Sequence, residues 1–299
     1  FGTDSIMIGD TTTGTINAAN YNTGLGVDVF AALTSGDYNV AIGYQAGDSI
    51  TTGGTNVLVG GLAGDSITTG EANTSLGHNS LGSNTTASNN TAIGRKALFA
   101  NETGAENTAV GKDALLANTT GTRNVAVGTS AGDANTTGDD GTFIGYAAGG
   151  ANTTAHDNVA VGNFAFDANT TGASNTAIGR SALSGNTTAS NNTGVGYGAL
   201  LANTTGAGNT AVGMRALTAN TTASNNISIG KDSMYANTTG ASNVAVGLSA
   251  LQNNTTASNN TAVGYTALFA NTTGYDNVAI GYQALDANTT GYLNVCIGK

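Results

Sequence analysis

The chain has 299 residues, with 45 Gly, no Pro, no Trp and one Cys, and carries a net charge of −10. Only 9% of residues are charged, against about 25% in an ordinary globular domain. These values exclude a basic nucleic-acid binder and a disulfide scaffold, and 39% apolar residues are too many for a disordered chain.

No run of 18 apolar residues occurs, so no membrane insertion is expected. No charged-plus-apolar leader opens the chain, so a signal peptide is expected to be absent or already removed. From Ser5 onward the chain repeats with a period of 17, and units begin at residues 5, 22, 39 and every 17 residues to 294, without insertion or deletion. The consensus is N-[TV]-A-[VI]-G-x-x-A-L-x-A-N-T-T-[GA]-x-x, with the first Asn numbered position 1. Position 5 is Gly in all 18 units, and position 2 is always Thr, Val or Ile. Position 4 is always Ile, Val or Leu, whereas positions 6, 7, 10, 16 and 17 vary freely.

A 17-residue unit is too short for a helical repeat, and its β-branched and Gly positions are strand and corner signals. The expected fold is all-β: a parallel β-solenoid, or β-roll, of about 17 coils forming a single continuous repeat domain over residues 1–299. Each coil is expected to hold two short strands, near positions 1–4 and 8–11, with Gly at position 5 in a backbone conformation other residues avoid. Coils stacked about 4.8 Å apart would make a rod roughly 80 Å long. Alternation places positions 2 and 4 on one strand face and positions 1, 3 and 5 on the other. Both faces are apolar or small, so a second buried surface against other chains is expected. A homotrimer follows, with a single-chain solenoid as the alternative. The core expected per coil is one Val or Ile, one Leu and three Ala.

In chain order, the candidate chemistry is sparse. Asn at position 1 occurs in 16 of 18 units, with Ser5 and Gly141 as exceptions, and predicts an amide ladder along the stack. Asp48 and Asp65 fall at position 10 of adjacent coils, where two carboxylates can share a cation. The calcium-binding repeat is absent, so they read as a solvated edge, as do Asp139 and Asp140. His78 and His156 lie in distant coils and cannot meet, and Cys296 takes a position-3 slot as a buried small residue. No Ser/His/Asp set, zinc spacing or phosphate loop appears, so no enzyme, metal or cofactor is expected.

Position 12 is Asn in 13 consecutive coils: Asn84, Asn101, Asn118, Asn135, Asn152, Asn169, Asn186, Asn203, Asn220, Asn237, Asn254, Asn271 and Asn288. Each starts an N-x-Thr glycosylation acceptor. The alternatives are a hydrogen-bonded Asn/Thr turn, a glycan-decorated ridge and an ice-binding Thr array. Adjacent Thr side chains point to opposite faces, which argues against ice. Tyr265 and Tyr282 at position 6, and Tyr275 and Tyr292 at position 16, are candidate contacts for a sugar ring.

The Asn-x-Ala-(Val/Ile)-Gly word resembles the head repeats of trimeric autotransporter adhesins. The longer Asn-Thr-Ala-Val-Gly-x-x-Ala-Leu-x-x-Asn-Thr-Thr-Gly form resembles repeats of phage tail-fibre-like proteins. The resemblance covers Ser5 to Gly298 and departs from the autotransporter pattern by about three extra residues per coil. It implies a parallel β-roll that trimerises, and a segment of a longer extracellular fibre protein at a cell surface or on a virion. The function it implies is a non-enzymatic structural shaft that presents a binding tip, free of cofactors and partnered by copies of itself and cell-surface carbohydrate. The alternative is a glycosylated filament of solenoids stacked end to end.

Overall fold

A computed structural model of the chain describes residues 5–8 and 18–298. The chain divides into two compact units, Phe1–Thr154 and Ala155–Lys299, each built as a parallel β-solenoid. Strands of the first unit run from Ile6–Ile8 and Thr23–Leu25 to Thr142–Ile144, and those of the second from Val159–Val161 to Val295–Ile297. Among the described residues no helix forms. Each strand has three residues, at positions 2–4, and within each unit neighbouring strands, 17 residues apart, pair in parallel, as in Thr91↔Thr108 and Ala92↔Ala109.

The second strand expected near positions 8–11 does not form. That segment is a series of turns, because positions 7 and 9 take left-handed backbone, as in Asp113 (φ 58°) and Leu115 (φ 49°). Its amides still serve the stack. Asp113 N donates back to Arg95 O at 3.0 Å, and Leu115 N donates forward to Ala131 O at 3.0 Å. A left-handed Leu costs roughly 1–2 kcal/mol, and full burial of a Leu side chain returns about 1.5–3 kcal/mol. Burial therefore wins, and Leu115 has no exposed surface.

Ala109 at position 3, Ala114 at position 8 and Leu115 at position 9 are buried, together with Asn107 and Asn118 at positions 1 and 12. The Val and Ile of position 4 do not enter the core, contrary to the expected composition. They point outward with position 2, and Val127 and Ile144 are 37% and 38% exposed. A strand of three residues can turn only its middle side chain inward, and coils this narrow take Ala there. Ala117 at position 11 is half-buried.

Position 5 is Gly for two reasons. Gly60 has φ 138°, and a methyl group there would lie 2.6 Å from the carbonyl oxygen of Gly77 in the next coil.

Departures from consensus in the core are coupled by volume. Phe143 replaces the usual Ala at position 3 and is fully buried. Position 9 is Gly in its own coil (Gly149) and in the preceding one (Gly132), where Leu is usual, and position 1 is Gly141. A Cβ at Gly132 or Gly141 would meet the Phe143 ring at 2.7 or 2.6 Å. Leu58 at position 3 is matched in the same way by Gly47 and Gly64 at position 9.

Phe143→Ala is expected to destabilise the first unit by about 3–5 kcal/mol, the usual effect of emptying a buried aromatic site. Adding Gly132→Leu and Gly149→Leu restores the consensus core and should recover most of the loss, as measured by denaturant unfolding.

Candidate functional site

The most regular chemistry in the chain is a pair of buried amide ladders. At position 12, Nδ2 of Asn118 donates to Oδ1 of Asn101 at 2.8 Å, and Nδ2 of Asn135 donates to Oδ1 of Asn118 at 2.8 Å. The same bond links successive residues from Asn84 to Asn152 in the first unit and from Asn169 to Asn288 in the second. At position 1 the backbone amide makes the corresponding link, as in Asn107 N to Oδ1 of Asn90 at 2.9 Å. The expected Asn ladder at position 1 is thus present, and Gly141 keeps the backbone half of it by donating to Oδ1 of Asn124 at 2.8 Å.

The two ladders meet at one carbonyl. Gly121 O, at position 15, accepts from Nδ2 of Asn107 at 2.8 Å and from Nδ2 of Asn118 at 2.9 Å. One coil is therefore tied across its interior by two side chains of the same residue type. Asn192 departs from the pattern, since its buried Nδ2 has no partner.

The Asn/Thr turn is the geometry found at the Asn-Thr-Thr corners. Twelve of the 13 position-12 residues, Asn84 through Asn271, are fully buried, and Asn288 is half-buried. An N-linked glycan would replace one of the two Nδ2 hydrogens that the ladder and the position-15 carbonyl use. At the twelve buried positions a glycan and the native coil exclude one another. The first Thr is also engaged, with Oγ1 of Thr119 donating to Thr136 O at 3.0 Å. The second Thr of each corner, such as Thr120, is exposed.

Among the described residues no group of three or more His, Cys, Asp and Glu gathers. His156 lies 2.7 Å from Asp157. Cys296 is half-buried rather than buried, because Val295–Ile297 is the last described strand. Asp139 and Asp140 are occupied by the protein itself: Asp139 accepts from the amide and hydroxyl of Thr122 at 2.6 and 2.9 Å, and Asp140 pairs with Arg123 at 2.7 Å. Asp48 and Asp65 are not a solvated edge. Burial, then the charge of Asp48, pushes the Asp65 carboxyl up to about 6, and burial raises Asp48 as well.

The Tyr candidates form two separate stacks. Tyr265 and Tyr282 lie 5.3 Å apart and Tyr275 and Tyr292 lie 5.0 Å apart, all four exposed. A third stack, Tyr21 on Tyr38 at 4.8 Å, lies in the first unit. Beside Tyr265 is a cavity of about 190 Å³ whose other walls are Thr266, Phe269, Gln283 and Asp286. Sequence reasoning missed these four, because they occupy the freely varying positions 7 and 10. The pairing of an aromatic at position 10 with polar residues one coil on was the available signal.

Comparison with known proteins finds no family model and no characterised protein that matches the chain.

Two expectations follow. Asn118→Ala orphans Oδ1 of Asn101, at about 1–3 kcal/mol, and leaves Nδ2 of Asn135 with only its bond to Gly138 O. Asn118→Asp should be worse at pH 7 than at pH 4, because only the protonated acid can donate to Asn101; chemical denaturation at both pH values checks this. The second concerns Asp65, whose folded-state affinity for a proton exceeds its unfolded one. Its contribution to stability is complete below the unfolded value near 4 and is lost as pH rises through about 6. The unfolding midpoint should fall between pH 4 and pH 7, and Asp65→Asn should raise it at pH 7 and reduce the slope.

Proposed function

We propose that the chain is a non-enzymatic structural shaft of an extracellular fibre, phage tail-fibre-like or from a bacterial surface adhesin, and that three copies pack along one another. The observation that carries this reading is the outward face of the strands. Positions 2 and 4 bear Thr, Val, Ile or Leu in every coil, and Leu76, Ile178 and Ile229 are 47%, 40% and 40% exposed. A monomeric coil needs no such face, since its own core is filled by Ala, Leu and Asn. Exposed apolar files that repeat without interruption mark association surfaces. The copy number of three and the extracellular setting come from the resemblance of the repeats to trimeric adhesin heads and tail fibres.

The uniform coils support a mechanical role. Function on repeat scaffolds concentrates in long loops, and the fixed 17-residue period leaves no room for one. Nearest-neighbour stacking makes stability grow coil by coil, which suits a part that spaces a binding tip from a surface. The glycosylated-filament alternative draws no support from the Asn-Thr-Thr corners, whose amides are used inside.

Sedimentation and native mass spectrometry should give the mass of three chains. The double substitution Val127→Lys and Ile144→Lys points charge outward from the first unit and should weaken the assembly while leaving far-UV circular dichroism unchanged. Wild-type protein that stays a single chain at every concentration overturns the reading.

A further inference from the structure

The cavity beside Tyr265 differs from the rest of the surface in its chemistry. Two aromatic residues of one coil, Tyr265 and Phe269, form one side, and Gln283 and Asp286 of the next coil form the other. Its volume, about 190 Å³, is below the ~300–1,000 Å³ of sites for drug-sized ligands, so it suits a single ring. Tyr265 is held in place by stacking on Tyr282.

An independent observation points the same way. Thr266 lines the cavity, and its Oγ1 is buried without a hydrogen-bond partner. Buried hydroxyls are nearly always paired, and an unpaired one calls for an explanation. Its φ of 49° is the left-handed conformation that position 7 also takes at Asp113 and Gln283.

We propose that this cavity binds one neutral hexopyranose residue of a polysaccharide. The C–H face of a pyranose packs on the aromatic side, formed by exposed Tyr265 and half-buried Phe269. Its hydroxyls meet Gln283, which both donates and accepts, and Asp286, which accepts from two adjacent hydroxyls. No Lys or Arg lines the cavity, and Asp286 repels a carboxylate, so uronic and sialic acids are rejected. Tyr275 and Tyr292 form a separate stack and take no part. The proposal does not rest on the oligomeric reading above, and its test is read in whichever assembly the full chain adopts.

The experiment uses an immobilised array of neutral hexose and N-acetylhexosamine oligosaccharides, with oligouronates as anionic controls. The strongest neutral ligand is then titrated calorimetrically. Wild-type chain should retain neutral glycans and pass over the oligouronates. Tyr265→Ala and Gln283→Ala should each weaken binding by about tenfold or more, and Tyr275→Ala should change it by less than about twofold. All three variants should unfold at the wild-type midpoint, because these side chains lie at the surface. Failure to retain any neutral glycan, preference for oligouronates, or binding that survives Tyr265→Ala and Gln283→Ala would overturn the proposal.

Discussion

A coil of 17 residues encloses too little volume for an ordinary hydrophobic core, and its interior must also hold the backbone carbonyl at its corner. Gly121 O faces inward, away from water, and an unpaired buried carbonyl is destabilising by the desolvation it suffers. Two Asn side chains, Asn107 and Asn118, meet it from opposite sides of the coil. Each Asn also bonds to its counterpart in the neighbouring coil. The period of 17 keeps these bonds in register, with Asn107 14 residues and Asn118 three residues before the carbonyl they share.

Around those amides the apolar core is small. Ala at positions 3 and 8 and Leu at position 9 fill the consensus coil, and Phe143 is admitted only where Gly132, Gly141 and Gly149 vacate space. Close packing explains the coupling, because overfilled and underfilled cores both lose stability. The branched residues of positions 2 and 4 have no place inside. They become an outward apolar surface, which links core size directly to the association proposed here.

The same geometry separates decoration from structure. At the Asn-Thr-Thr corner the Asn and first Thr are engaged in coil-to-coil bonds, and the second Thr is exposed. Chemical variety is left to positions 6, 7, 10, 16 and 17, where stacked Tyr pairs, the Arg123–Asp140 ion pair and the Tyr265 cavity are found. Their residues can change without disturbing the ladders, so a recognition site can be written on the surface of a uniform scaffold.

The period, the parallel stacking, the position-5 Gly and the position-1 ladder were legible in the sequence, because each recurs at a fixed place along the chain and each answers a local backbone demand. Position 12 was legible as a turn but also as a glycan acceptor, since a short N-x-Thr motif does not state which way its Asn points. The tertiary structure decided that direction, and it decided that Val and Ile face out while Ala faces in. A strand face that is apolar on both sides has no sign of its own. Only the width of the closed coil determines which side chains fit within it. The cavity at Tyr265, Phe269, Gln283 and Asp286 was equally hidden, because residues from two coils become neighbours only once the stack has formed.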